Sequence, residues 1–544
     1  MSVTRDAAQF DYIIVGAGSA GSVLANRLSA DGRNKILVLE AGGKDSNPFL
    51  HIPAGYVKTL VDPKVLWQFR SAPSQGSGGR EIALPQGRVY GGSSSLNGLV
   101  YNRGQSGDFD TWAQLGNPAW SYEDVLPYFR RSERRVGGED RYRGRDGGIV
   151  ISDPGWSHPI CEAFIAGVAA SGVPRSRDYN GADQTGVGYF QRMIDGRFRV
   201  SAARGFLHPA LKRPNVALRS HVQVFDLILE GGRVVGVRYF QDGAPDEVVE
   251  VRCGREVIVS AGTINSTKLL QLSGIGDPEE LKPLGVEVRH ALRGVGKNFR
   301  DHYFVRMSAR LKDDVVSLNQ MARGWRLGLE IAKWSLGRPS ILSLSPSIVH
   351  AFWKSSDVLD RPDLQFVFTP GSYKPGRVYV LDDFPAATCG FTQQRPESVG
   401  FVRLKSTDPK DAPIIQPNYL ASETDRRVVV AAMRLARKFL RSKEMEPLYL
   451  KEELPGLDVD TDDELLEFAR KTGNTGYHLI GSCMMGPASD PLAVVDARLR
   501  VHGLEGLRVI DASIMPRMVS ANTYASTLMI AEKGADMVLD RTAA

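Results

Sequence analysis

The segment DYIIVGAGSAG at residues 11–21 constrains this chain more than any other. A short apolar run, 11–15, opens directly into Gly16, Gly18 and Gly21 in G-x-G-x-x-G spacing. Behind it SVLANRLSA (22–30) sets Val23, Leu24 and Leu28 at helical spacing, and KILVLEAG (35–42) supplies a second apolar run. Strand, helix and strand, with the strands apolar throughout, predict a βαβ unit on a buried parallel sheet. In such a unit the first glycine makes the tight turn. The second removes a Cβ where a pyrophosphate would approach, and the third lets helix and strand pack closely. The helix start offers unpaired N–H groups and a positive dipole end to phosphate. Glu40 closes the second strand 19 residues after Gly21, where an acid accepts hydrogen bonds from an adenosine ribose. Three glycines alone could be a tight turn; with the strands, helix and acid they predict dinucleotide binding. The motif leaves FAD and NAD open.

The composition excludes other classes. Lys and Arg total 68 against 62 Asp and Glu, a net charge of +6 with the signs interleaved. A nucleic-acid binder more often shows a concentrated basic stripe with aromatics, so no nucleic-acid partner is expected. Cys161, Cys253, Cys389 and Cys483 lie far apart, without CxxC or metal-ligand spacing. That predicts no metal site and a reducing, cytoplasmic setting. The start of the chain, MSVTRDAAQFD, has no apolar signal run, and no stretch reaches the roughly 18 apolar residues of a membrane span.

Further strands are expected across 216–260, with a turn at Gly231-Gly232, and at EVIVSAG (256–262) and LRVIDAS (507–513). Between 309 and 465 helical stretches (326–334, 424–442) alternate with strand-like ones (363–369, 398–404). TDRRVVVAAMRLARKFLRS (424–442) puts Val428, Ala432, Ala436 and Phe439 on one face. We read it as a domain helix with a solvated basic face rather than a membrane-surface helix.

Several blocks then settle the cofactor. GRVYGGSSSLNGLVYNRG (87–104) and SAGTINSTKLLQLSGIG (260–276) closely resemble the two signature blocks of the glucose–methanol–choline (GMC) flavin oxidoreductases. GVGKNFRDH (294–302), GYHLIGSCMMG (476–486) and RVIDASIMPRMVSANTYASTLMIAEKGAD (508–536) resemble further family segments. The resemblance runs from residue 11 to 537. It implies an α/β (α+β mixed) fold: a Rossmann-like FAD-binding domain with a second, substrate-binding domain containing a mixed or antiparallel sheet. The FAD domain is expected from 1–157, 202–308 and 466–544, the last carrying the active site, and the substrate domain from 158–201 and 309–465.

FAD contacts implied by the resemblance begin with Gly16, Gly18, Ser19, Ala20 and Gly21, then Glu40 and Ala41. In the first signature block they are Arg88, Gly91, Gly92, Ser93, Asn97, Gly98, Leu99 and Val100, with Trp67 covering part of the cofactor. Val222 is expected at the adenine, Ala261 and Gly262 beside the nucleotide, and Asp511 and Ala512 at the second pyrophosphate and ribityl contact, with Asn522 and Thr523 also touching the cofactor. Some family members carry a histidine in the first block that bonds covalently to FAD. Leu96 and its neighbours include none, so FAD is expected to be non-covalent. Thr267 stands where proline is common and suits the first turn of a helix.

Flavin oxidation of an alcohol needs a base for the hydroxyl proton and a group to steady the oxygen, with hydride passing to flavin N5. His478 falls on the family's catalytic histidine; its ordinary pKa of about 6.5 suits proton acceptance. Asn522 matches the second active-site position, where an amide can donate but cannot be the base. His302, after Asp301, is read as structural, and Cys483 as a buried filler. Tyr477 borders the pocket; Trp334, Trp353, Phe366 and Phe368 are aromatic candidates for its wall. No acid could be assigned to grip a quaternary ammonium. The expected substrate is a primary alcohol, uncharged or aromatic, ahead of choline, oxidised to the aldehyde with oxygen or another electron acceptor. The alternatives are a hydroxynitrile lyase, a fatty-acid photodecarboxylase-like flavoenzyme, or a choline-type dehydrogenase. The chain holds 56 glycines, against about 38 at the usual frequency; the cofactor and active-site blocks absorb most of the surplus.

Overall fold

A computed structural model describes residues 2–6, 8–374 and 380–541. Two sheets organise it. The first is parallel at its centre, in the order Val216–Arg219, Ile36–Leu39, Phe10–Val15 and the second half of Ala244–Val259, with Leu507–Val509 beyond. Ile36–Leu39 is buried at every residue and Phe10–Val15 from Tyr12 onward, as continuous apolar runs between helical layers require. The first half of Ala244–Val259 continues into an antiparallel meander with Arg233–Gln241 and Val222–Glu230, joined through the expected Gly231-Gly232 turn. Helix Ser19–Leu28 packs against the C-terminal helix Tyr524–Val538. There buried Glu532 accepts from Arg27 and from Arg131 of helix Tyr122–Ser132.

The second sheet is antiparallel: Tyr449–Leu454, Tyr303–Leu311, Ala386–Gln393, Leu364–Thr369, Val349–Trp353 and Gly186–Tyr189. Asn474–Thr475 pairs with the start of Tyr303–Leu311. That strand crosses the expected 308/309 boundary and lies wholly in the second sheet. Successive side chains of a strand point to opposite faces. On one face Val305, Met307, Phe366, Phe368 and Phe391 pack beneath helices Pro159–Ala170 and Glu423–Leu440. The latter is the amphipathic helix expected at 424–442. Val428, Ala432, Ala436 and Phe439 are buried, while Arg434 and Arg437 pair with Asp462, Asp460 and Glu452. The opposite face of the sheet is left to a cleft. No helix among the described residues is long and apolar enough to cross a membrane.

Candidate active site

A continuous cleft runs from the first βαβ turn to the second sheet, lined by Gly16, Gly18 and Glu40 at one end and by Tyr477, His478 and Asn522 at the other. Between them it passes Ser19, Ala20, Ala41, Trp67, Gly92, Ser93, Asn97, Gly98, Leu99, Val100, Val222, Ala261, Gly262, Asp511, Ala512 and Thr523. The turn is built as the motif predicts. Gly16 has φ +102°, and a Cβ there would sit 2.5 Å from the Ser260 carbonyl oxygen. No side chain caps the helix at Gly18, so its first N–H groups stay available to an anion. Glu40 is buried: Oε2 accepts from Ala17 N–H at 2.8 Å and Oε1 from Gly42 N–H at 2.7 Å. Burial raises its carboxyl above the usual range, partly offset by these bonds.

Three expected contacts do not line the cleft. Gly21 packs under the turn, where a Cβ would lie 1.8 Å from the Gly16 carbonyl oxygen. Gly91, at φ +83°, packs against Ser95 and Ala203. Arg88 turns outward to pair with Asp242 at 2.5 Å, its guanidinium 4.9 Å from the Trp67 ring centroid. Asp511 does border the cleft, but its carboxylate is saturated: Oδ2 accepts from Gly262 N–H and Ser266, Oδ1 from Ser513 N–H and hydroxyl. Any ligand contact there falls to its backbone. Thr267 sits inside helix Gly262–Leu272 rather than in its first turn, and its hydroxyl donates to the Thr263 carbonyl one turn back.

At the other end three side chains form a chain. His302 Nε2 lies 2.8 Å from the Gln394 carbonyl oxygen, which can only accept, so the proton is on Nε2. His302 Nδ1 is then an acceptor, and His478 Nδ1, 2.8 Å away, donates to it. His478 Nε2 is left unprotonated and accepts from Asn522 Nδ2 at 3.0 Å. Gln365 Nε2 donates to Asn522 Oδ1 at 3.3 Å and orients the amide. Burial lowers the His478 pKa well below its ordinary value, and neighbouring His302 lowers it further; burial pushes His302 down to about 4. Both rings are neutral at pH 7.

The backbone holds this chain in place. Tyr477 has φ +64°, a strained position for a non-glycine residue, and its N–H donates to Thr475 Oγ1 at 2.7 Å. His478 N–H donates to Asp301 Oδ1 at 2.8 Å, while Asp301 Oδ2 accepts from Tyr419 and Thr475. Burial raises the Asp301 carboxyl to about 6 despite these bonds. Nearby, Ser520 is fixed by Asp108, Arg395 and Gln184, two residues before Asn522. Sequence reasoning set His302 aside as structural; the available signal was the Asp301-His302 pair itself, whose two members meet His478 from different sides.

The pocket wall differs from expectation. Register on Leu364–Thr369 turns Phe366 and Phe368 into the core and presents Gln365, Val367 and Thr369 to the cleft. Trp334 packs on Phe198, and Trp353 lies at the edge of the core. None of the four aromatic candidates lines the cleft. The wall is formed instead by Phe304, Arg306, Tyr373, Thr388, Gly390 and Thr392 with those three.

A family model described as GMC oxidoreductase matches residues 10–304, and a second of the same description matches 396–531. The chain belongs to the GMC oxidoreductase family. It is 39% identical over 547 residues to the mitochondrial choline dehydrogenase of Homo sapiens, covering 99% of this chain and 90% of that protein. It is 38% identical over 537 residues to the oxygen-dependent choline dehydrogenase of Rhizobium etli, covering 98% and 96%. Among solved structures it resembles pyridoxine 4-oxidase from Mesorbium loti, with 29% identity, a TM-score of 0.88, and coverage of 98% of this chain and 100% of that one.

As a GMC oxidoreductase the chain is an FAD-dependent enzyme acting on CH–OH groups. The cleft fits that cofactor. A Cβ at Gly262, φ +82°, would meet no protein atom within 4 Å, and one at Gly18 would meet only Gly92 Cα at 3.9 Å. Both positions are bare toward space the protein leaves open, beside the uncapped helix start. Glu40, Ala41 and Val222 would hold the adenosine end, and Gly18, Ser19, Gly92 and Ser93 the phosphates. The flavin end would lie toward Asn97, Gly98, Val100, Ala512 and Thr523.

Proposed function

We propose that this enzyme oxidises a primary alcohol to the aldehyde, with His478 as base and Asn522 as the donor that steadies the substrate oxygen. The observation that carries this reading is the unprotonated Nε2 of His478, hydrogen-bonded to an amide at the end of the cleft. FAD bound in the cleft supplies the hydride acceptor. A substrate hydroxyl entering between the two groups gives its proton to Nε2, and Asn522 Nδ2 donates to its oxygen. The ring gains a charge while its Nδ1–H stays bonded to His302. Non-covalent FAD is supported by the cleft lining, where among the described residues His478 is the only histidine and no cysteine occurs. Four free cysteines, buried or half-buried, suit a reducing compartment such as the cytoplasm.

The names of the relatives favour a second reading, choline as the alcohol. Anaerobic mixing of the yellow holoenzyme with a panel of alcohols that includes choline tests both. A substrate bleaches the flavin, and His478→Ala slows bleaching by about 100-fold or more. Wild-type bleaching in that variant removes His478 as the base.

A further inference from the structure

Resting on the alcohol-oxidation reading, we infer that the cleft selects an alcohol carrying an anionic group, a carboxylate, and that Arg306 is the residue that holds it. Arg306 follows Phe304 by two positions on Tyr303–Leu311, so both side chains face the cleft. Phe304 opposes Thr392, whose other neighbour is Gln365, the residue bonded to Asn522. Arg306 stands in the next row, about 7 Å along the sheet. Arg306 is thus one row removed from the Gln365–Asn522 contact on the same face of the sheet.

Arg306 is exposed to the cleft, and its guanidinium rests on a neighbouring ring. Gly390 lies opposite Arg306, and a Cβ there would be 2.4 Å from Phe304 Cζ, so the missing side chain is what lets the ring lie across the strand. The Arg306 guanidinium then lies over that ring, 5.1 Å from its centroid. Among the described residues the Arg306 guanidinium forms no ion pair and donates no hydrogen bond; Tyr373 is a titratable side chain near enough to feel its charge. The neighbouring wall hydroxyls are occupied: Thr369, Thr388 and Thr392 donate to the carbonyls of Pro346, Gly371 and Gln393. Lys268, the other lysine or arginine on the cleft, donates to the Pro409 and Asp411 carbonyls.

The same wall is hostile to a cation. Glu40 and Asp511 are the only carboxylates lining the cleft among the described residues; Glu40 is bound to the Ala17 and Gly42 N–H groups of the first turn, and Asp511 is saturated by Gly262, Ser266 and Ser513. The exposed face of Phe304, which could hold a quaternary ammonium by cation–π attraction, already carries the guanidinium. A bound trimethylammonium would meet a like charge well inside the roughly 8 Å screening length at physiological salt.

The test compares 4-(hydroxymethyl)benzoate, benzyl alcohol and 4-(hydroxymethyl)benzyltrimethylammonium, with 4-hydroxybutanoate, 1-butanol and choline as a second set. Readouts are the anaerobic flavin-reduction constant per unit substrate and the Kd of benzoate and butanoate from flavin difference spectra. In the wild type the anion is expected to exceed its neutral analogue by about 10- to 100-fold, from one charge-assisted contact. Arg306→Met abolishes that ratio and weakens carboxylate binding equally, Arg306→Lys restores part of it, and Arg306→Glu turns the preference toward the cation. If neutral or cationic members do as well as the anion in the wild type, or Arg306→Met leaves the ratio unchanged, the inference is overturned while alcohol oxidation stands. If carboxylates bind through Arg306 and no alcohol bleaches the flavin, the oxidation reading fails instead.

Discussion

His302 Nδ1 lies 2.8 Å from His478 Nδ1, and this contact decides which nitrogen of His478 faces the cleft. The Gln394 carbonyl fixes the proton on His302 Nε2, which makes Nδ1 an acceptor and His478 Nδ1 a donor. The base is thus delivered in one tautomer, with its lone pair toward Asn522.

Removing that acceptor frees the tautomer without touching substrate or cofactor. His302→Ala is expected to slow flavin reduction by about 100-fold, with substrate Kd changed less than about threefold. Stopped-flow reduction against substrate concentration separates the two constants. An unchanged limiting rate would show that His478 needs no partner at Nδ1.

The pH profile should follow from the depressed pKa of His478. A base works when unprotonated, and burial moves its protonation well below 6.5. The limiting reduction rate should therefore be level from about pH 6.5 upward and fall only in more acid solution. A limb with its midpoint above pH 7 contradicts this assignment.

His350 gives a stability prediction. It is buried among Tyr179, Phe190 and Phe352; neither ring nitrogen has a well-formed hydrogen bond, and the nearby Gly186 backbone offsets its burial only in part. Burial pushes its pKa down to about 3. Above pH 6.5 neither the folded nor the unfolded chain protonates this ring. Below it the unfolded chain takes up a proton that the folded one refuses, so stability is lost as pH falls from 6.5 toward 3. Relative to His350→Leu, the wild type should lose about 1.4 kcal/mol per pH unit across that window. Paired denaturant titrations at pH 5 and pH 7.5 measure it; a difference that does not change with pH rejects the buried neutral ring.

What could be read from the sequence divides along the length scale of the interactions. The βαβ turn is local: Gly16, Gly18, Gly21 and Glu40 stand in one stretch, and the structure builds them as the spacing implies. His478 and Asn522 needed the family resemblance, since they meet across 44 residues. His302 was missed because its role depends on a contact 176 residues away. The aromatic wall was misread for another reason. Phe366 and Phe368 are as apolar as a pocket wall would be, and only strand register decides that they face the helices while Gln365 and Val367 face the cleft. Arg88 lies in a glycine-rich block beside the cleft, but its partner Asp242 is on a distant turn.

The bareness of Gly18 distinguishes a ligand constraint from a folding constraint. Its φ of −73° is open to any residue and its ψ of −157° lies only slightly beyond the usual extended range, and a Cβ would approach only Gly92 Cα, at the ordinary distance of 3.9 Å. The protein alone therefore tolerates alanine there. A pyrophosphate resting on the helix start does not, because the methyl group would occupy the line of approach. Gly18→Ala should unfold within about 2 °C of wild-type apoprotein, since alanine away from strain or clash shifts stability by only a few tenths of a kcal/mol. Its flavin content after purification should fall at least about tenfold, for a loss of the order of one hydrogen-bonded contact. Gly92→Ala makes the contrast: at φ +54° its Cβ would lie 2.8 Å from Gly18 Cα, so it should lower both apoprotein stability and flavin content. The ratio of flavin to protein absorbance and apoprotein melting curves read the two effects separately. A fully yellow Gly18→Ala enzyme would mean that the phosphates lie elsewhere along the cleft.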